Sequence, residues 1–256
     1  MTIVRGLHGL GWKNSLPDFR DYKLPIKLSE PNIPGLQDLS SAIDWLYDQG
    51  RENSCTCNCG ASLFRFIERK DKQNIIAPSR SFLYYNVREL EGDAKKDSGA
   101  EVRTVLKSLA NTGVCSEDTW SYSAKNIFTP PSSGAYALAV HNKLNVYMAI
   151  EQNHTALRAC LAEGYPFIFG FSLYSSFESD EVARTGMMPM PQDNEDLKGG
   201  HAVMAVGYDD HNQFYIVMNS WGPGWGDHGY FYMPYAYMEN HDLADDFWTA
   251  RSIIQI

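Results

Sequence analysis

The spacing of apolar positions changes period part-way along the chain. Cys59, Leu63, Phe66 and Ile67 recur at helical intervals, while Arg65, Glu68, Arg69 and Lys70 fall on other faces. This predicts a helix that starts at or just after Ser54, with Ser54, Thr56 or Asn58 as its N-cap. Further helices are predicted over Arg80–Glu89 beyond Pro78, over Ala100–Ala110 before the stop signal Asn111-Thr112-Gly113, and over Glu151–Glu163 before Gly164. Beyond that point the pattern becomes short apolar or alternating runs separated by Gly, Asp, Asn and Pro. Pro166–Leu173, Ala202–Tyr208, Gln213–Asn219, Tyr230–Met233 and Trp248–Ile256 read as strands. A helix-rich first half and a strand-rich second half imply an α+β protein of two lobes with a cleft between them.

The first forty residues carry no such period. They are rich in Pro and Gly and read as an extended arm over the surface. The predicted organisation is an arm over residues 1–38 and one domain over residues 39–256. Within that domain the helical lobe spans about 45–135 and the β lobe about 136–256. The division falls where Thr129-Pro-Pro-Ser-Ser-Gly134 interrupts all periodicity.

Composition narrows the function classes. At 256 residues, 44% hydrophobic and 13% aromatic, the chain can bury a substantial core. A formal charge of −9 argues against nucleic acid or an anionic membrane as partner. No apolar run is long enough to span a bilayer, and the N-terminus lacks the apolar stretch of a secretory signal. The five cysteines are odd in number, and Cys55, Cys57 and Cys59 are crowded together, which does not resemble a disulfide framework. A reducing compartment, cytoplasmic or virion-associated, is therefore expected.

A cysteine nucleophile needs a lowered pKa, which a helix N-terminus and a nearby imidazolium both supply. Cys55 stands where the first long helix begins. Around it and downstream lie Asp48-Gln49-Gly50, Gly199-Gly-His201-Ala-Val followed by Val206-Gly-Tyr208, and Asn219-Ser-Trp221-Gly-Pro-Gly-Trp225-Gly226. Together these segments resemble the papain family of cysteine peptidases. Gly9-Leu-Gly-Trp12, Leu83-Tyr-Tyr-Asn86, Gly113-Val-Cys-Ser-Glu117 and Asp246-Phe-Trp248 are closest to its microbial and viral branch.

The resemblance implies the papain-like fold, with a helical left lobe, a right lobe resembling an antiparallel β-barrel, and the active-site cleft between them. It implies that Cys55 attacks the substrate carbonyl to give a thioester acyl-enzyme, with His201 as base and then acid. Asn219 orients the imidazole, and Gln49 with the Cys55 backbone N–H stabilises the oxyanion. Trp221 shields the His201–Asn219 bond. Ser98 and Gly99 lie on the edge that pairs with substrate, and Gly200 borders the S2 pocket, where a bulky apolar residue is expected. Peptide or protein substrates follow, with no cofactor and no metal. An acyl transferase or peptide ligase could use the same site, and a non-catalytic peptide-binding scaffold is a further alternative.

Two departures from the family pattern stand out. Glu52-Asn53-Ser54-Cys55-Thr56 lacks the family's first cysteine, and Asn53 replaces a glycine, tolerably if that position has positive φ. Cys57, Cys59, Cys115 and Cys160 are expected to pack in the interior, since Cys57 leaves the face shared by Cys55 and Cys59 and no zinc set is complete. His8, His141, His154, His211, His228 and His241 have no motif around them and are expected at the surface. Trp225 is expected to pack beside Trp221. The methionines of Thr185–Pro191 either line a specificity pocket or pack an irregular loop. The arm, through Gly9-Leu10-Gly11-Trp12, is either a strap that stabilises the lobes or a short pro-segment over the cleft.

Overall fold

The computed structural model describes residues 8–255. Residues 1–7 of the arm and Ile256 of the last predicted strand lie outside the described residues. In chain order the elements are β1 (Trp12–Lys13), β2 (Leu36–Asp38), α1 (Cys55–Lys70), α2 (Arg80–Leu90), β3 (Ala100–Glu101), α3 (Val102–Asn111), α4 (Ser133–Ala139), β4 (Asn142–Ala149), α5 (His154–Ala162), β5 (Phe167–Tyr174), α6 (Asp180–Thr185), β6 (Leu197–Asp209), β7 (Phe214–Met218), β8 (Tyr230–Pro234), α7 (Tyr235–Met238) and β9 (Ala244–Gln255).

Helix α1 is the hub. Its residues from Cys55 to Phe64 are all buried, as expected of a helix enclosed on every side. Gly60 permits this closeness, because a Cβ there would stand 2.4 Å from Cγ1 of Val105 on α3. The sheet runs in the order β4-β9-β5-β6-β7-β8, with β2 added alongside β6, and every pairing in it is antiparallel. Alternation along β6 divides its side chains between two cores. Ala202, Met204 and Val206 join the cluster built on α1, α2 and α3. Val203 and Ala205 join Phe167, Phe169, Phe171 and the α5 residues. This sheet between two cores carries the α+β architecture expected of the chain.

The differences from the sequence reading are local. Ala100 and Glu101 are extended, because they pair in parallel with Trp12 and Lys13 of the arm, and the helix starts only at Val102. Directly after the break at 130–132, the Ser132 hydroxyl accepts the Ala135 N–H and starts α4, which the Pro and Gly around it had masked. Strand β4 escaped notice because it is mostly half-exposed and its alternation is broken by register shifts on either side of Val146. Met188 turns into the β-lobe core, whereas Met187 and Met190 stay exposed, so the loop packs one methionine only. Among the described residues no helix is long and apolar enough to cross a membrane.

After β1 the arm is tied down by backbone bonds. Leu24 and Tyr22 exchange N–H···O bonds with Ala149 at 2.8 Å each, and the Tyr208 hydroxyl donates to the Pro34 carbonyl at 2.6 Å. The arm then enters the main sheet as β2.

Candidate active site

Cys55 is the first residue of α1 and is fully buried. Ser54 precedes it at the N-cap position but does not cap with its side chain. Its hydroxyl is engaged instead by Tyr122 Oη at 2.6 Å and by Asn58 Nδ2 at 2.9 Å. Burial pushes the Cys55 thiol up to about 11, opposed by N–H groups of Gly11, Ala202, Thr56 and Cys55 itself. Because Ala202 follows His201 directly, this contact sets the sulfur against the start of the buried part of β6.

On β6, His201 Nε2 lies 2.8 Å from Asn219 Oδ1. The same oxygen accepts the Ser220 N–H at 2.8 Å, which fixes the carboxamide with its oxygen toward the ring. Nε2 therefore carries the proton, and Nδ1, buried and without a hydrogen-bond partner, is the basic nitrogen. Burial lowers the His201 pKa to about 4, against the raising effect of the Asn219 bond. Trp221 covers this pair with its ring centroid 5.0 Å from that of His201, and Trp225 packs edge-on to Trp221 at 5.0 Å.

Gln49 is fully buried, and its carboxamide is oriented from behind. Ser220 Oγ donates to Gln49 Oε1 at 2.6 Å, leaving Nε2 as a forward-facing donor. Nε2 donates to the Glu52 carbonyl and, across the cleft, to the Gly9 carbonyl, both at 2.9 Å.

That second acceptor belongs to the arm, which runs through the site. Gly11 N–H donates to Cys55 Sγ at 3.4 Å, and Leu10 N–H donates to Asn53 Oδ1 at 2.9 Å. All four candidate substrate-binding residues meet this segment. Trp221 stacks on His8 at 4.5 Å, so this histidine is not the surface residue expected from its lack of motif. Gly99 lies against Gly11, Gly200 against the Trp12 ring, and Ser98 Oγ accepts from Lys13 Nζ at 3.4 Å.

The arm's glycines are required by this approach. A Cβ on Gly9 would stand 2.2 Å from the Glu52 oxygen, and one on Gly11 1.8 Å from the Asn53 oxygen. Gly99 has φ +75°, and its backbone faces the Gly11 carbonyl, which accepts the Ala100 N–H at 2.8 Å.

Several contributors had no role assigned from the sequence. Asn53 is not among the non-glycine residues with positive φ. Its Nδ2 donates to the Asp97 carbonyl at 2.8 Å, and its N–H donates to the Asp97 carboxylate, which also accepts from Tyr84 Oη at 2.6 Å. This network fixes the turn before Cys55 to the edge at Gly99. Ser220 was visible inside Asn-Ser-Trp but had no assigned task. Asp246, bonded to Trp12 from 234 positions away in sequence, was visible inside Asp246-Phe-Trp248 but had no assigned task.

Residues 91–249 match the sequence profile described as papain family cysteine protease. An uncharacterized peptidase C1-like protein of Acanthamoeba polyphaga mimivirus is 36% identical over 98% of this chain and 88% of its own length. The chain belongs to the papain family of cysteine proteases. Xylellain, a cysteine protease from Xylella fastidiosa, superposes with a TM-score of 0.90 at 38% identity, covering 97% of both chains. Mouse pro-cathepsin H is 31% identical over 48% of this chain and 36% of its own length. Digestive procathepsin L 3 of Tenebrio molitor shares the fold at 18% identity and TM-score 0.71. As a papain-family protease this chain is a peptidase of the hydrolase class. The first two relatives match it over nearly its whole length, arm and cysteine segment included.

Proposed function

We propose that this protein is a cysteine endopeptidase held latent by its own N-terminal arm. Cys55 is the nucleophile and His201 Nδ1 the base that takes its proton. Asn219 holds the imidazole, and Gln49 Nε2 with the Cys55 N–H receives the oxyanion. The observation that carries this reading is the His201–Asn219 bond through Nε2, which leaves the other ring nitrogen basic and unpartnered. In the reaction the thiolate adds to the peptide carbonyl, and the imidazolium protonates the departing amine. Water activated by the same imidazole then hydrolyses the thioester.

The arm fits the role of pro-segment. It takes up the Gln49 donor with the Gly9 carbonyl and the Cys55 sulfur with the Gly11 N–H. Its chain runs from His8 on Trp221, past Cys55, to Trp12 on Gly200. A segment that holds both the oxyanion donor and the sulfur keeps a substrate from reaching either, which makes it an inhibitor. With the arm docked, burial favours neutral thiol and neutral imidazole over the reactive ion pair.

Gly11→Val in the full chain tests both parts, because a side chain there collides with the Asn53 backbone and expels the segment. The expected result is faster cleavage of a peptide library than by wild type, with none by the double variant carrying Cys55→Ala. Mass spectrometry in the presence of an added amine should find free acids as the main products. Amide products in their place would identify an acyl transferase.

A further inference from the structure

A closed ring of hydrogen bonds joins Gln49 to the first turn of α1. Arg80, the first residue of α2, donates through Nη1 to the Asp48 carbonyl at 3.1 Å and to Asn58 Oδ1 at 3.0 Å. The second bond fixes the Asn58 carboxamide, whose Nδ2 donates to Ser54 Oγ at 2.9 Å. Ser54 Oγ lies 2.6 Å from Tyr122 Oη, and Tyr122 Oη donates to the Gln49 carbonyl at 2.8 Å. A carbonyl can only accept, so the single tyrosine proton goes to Gln49 and the serine proton goes to the tyrosine. The backbone between the Asp48 and Gln49 carbonyls closes the ring. Each proton in it has its acceptor, and Gln49, Ser54 and Asn58 are fully buried.

The guanidinium at the centre of this ring is itself held on its faces and its far edge. It lies between two aromatic rings, 4.3 Å from the Tyr47 centroid and 4.0 Å from that of Tyr122. Its Nε and Nη2 donate to the two Glu117 carboxylate oxygens at 2.6 Å and 3.2 Å. A planar fork stacked and paired in this way keeps little freedom to swing. The covalent path between Gln49 and Cys55 is a poorer spacer. It passes through Gly50 at φ +63° and exposes Arg51. Its link back to the Gln49 side chain, through the Glu52 carbonyl, uses the donor nitrogen itself.

The two segments that the ring ties together each supply one oxyanion donor in the reaction above, Gln49 Nε2 and the Cys55 N–H. The ring grips Gln49 by its own carbonyl and Cys55 through the residue before it. Oxyanion donors act by standing at hydrogen-bond distance from the place where charge will develop, before it develops. A misplacement of about 1 Å costs about 100-fold in rate, so the spacing of the two donors needs a support of its own.

Resting on the peptidase reading above, we propose that Tyr122 is a positioning residue for the reaction: backed by Arg80, its hydroxyl holds Gln49 and the start of α1 at the spacing the oxyanion requires. It acts through Gln49 and Ser54 and not on the substrate.

The test uses full-length Gly11→Val protein as parent. Tyr122→Phe keeps the aromatic ring on the guanidinium and removes the hydroxyl. It should lower kcat on a peptide substrate by about tenfold with KM little changed. In a Gln49→Ala background the same substitution should cost less than about twofold. Alkylation of Cys55 by iodoacetamide displaces iodide and develops no oxyanion, so its rate should match the parent's. A merely structural role, in which Tyr122 steadies α1 as a whole, would lower kcat equally in both backgrounds or change the alkylation rate. Either result overturns the inference, as does an unchanged kcat. Ser54→Ala opens the same ring from the helix side. Should Tyr122→Phe fail to fold, Ser54→Ala must give the same pattern, and a loss independent of Gln49 overturns the inference there too. If the parent cleaves no peptide, the peptidase reading fails separately. A peptide aldehyde then replaces the substrate: the Cys55 sulfur adds to its carbonyl carbon, the thiol proton passes to His201, and the oxygen takes the oxyanion's place. Its affinity must fall by about tenfold in Tyr122→Phe when Gln49 is present, and hardly at all when Gln49 is alanine.

Discussion

The Gly11 backbone N–H points at the Cys55 sulfur from 3.4 Å, so the candidate nucleophile is occupied by a residue 44 positions earlier in its own chain. Shielding of this kind predicts the order of thiol reactivity. In wild type, all five cysteines are buried, and iodoacetamide should label each slowly. In Gly11→Val, Cys55 should become the first to react, because it alone gains both solvent and a basic partner. Peptide mapping that finds Cys57, Cys59, Cys115 or Cys160 modified ahead of Cys55 would count against this assignment.

Gln49 and Ser220 form a second linked pair. Gln49→Ala removes the proposed oxyanion donor and should lower kcat by about 10- to 1,000-fold with little change in KM. Ser220 acts through Gln49, since its hydroxyl holds Oε1 at 2.6 Å. Ser220→Ala should therefore lower kcat by a smaller factor, and should add almost nothing when Gln49 is already alanine. Equal losses in the two backgrounds would mean that Ser220 acts elsewhere.

The proton position on His201 gives a third expectation. Asn219 Oδ1 selects the tautomer with hydrogen on Nε2. Asn219→Ala frees the ring to rotate and to change tautomer, so activity should fall in part, whereas His201→Ala should remove essentially all of it. Full activity in Asn219→Ala would show that Trp221 and Phe171, at 5.0 Å and 5.7 Å, hold the ring unaided.

The legible parts of this molecule were those in which one chain segment announces its own neighbours. Helical spacing after Ser54 foretold α1, and the continuous apolar run Pro166–Leu173 foretold β5, because the signal of each lies within its own segment. The cysteine, histidine and asparagine segments were legible through resemblance, which stores the three-dimensional juxtaposition in short motifs. What stayed hidden depends on long-range contact. Nothing near Ala100 reveals that an arm strand holds it extended. Nothing near Asp246 reveals that a tryptophan from the opposite end of the chain donates to it. Gly-Leu-Gly-Trp was noticed as a motif, yet only its packing explains the alternation: glycines where backbone meets backbone, Leu10 against Gly199, and Trp12 over Gly170 and Gly200.

Latency should depend on pH, and His8 should be the group responsible. The docked site holds a neutral thiol and a neutral imidazole, with Cys55 raised to about 11 and His201 lowered to about 4 by burial. In the exposed site the thiolate–imidazolium pair carries the same single proton, so these two groups together contribute no pH dependence near neutrality. His8 is different. Stacked on Trp221, it has its pKa lowered from 6.5, by burial first, against the raising effects of Asp48, the Gly50 backbone and Glu178. A histidine whose docked pKa is lowered takes up its proton more readily once released. Docking is therefore at full strength above pH 6.5 and weakens as pH falls below it, by up to about tenfold per unit, until the lowered pKa is reached. The ratio of kcat/KM in Gly11→Val to that in wild type measures this directly, because the pH dependence of catalysis itself cancels. Between pH 7 and pH 5 the ratio should shrink, and in His8→Phe, which keeps a stacking ring without a titrating nitrogen, it should stay flat. A flat ratio in wild type, or an equal slope in both proteins, would remove His8 from the account.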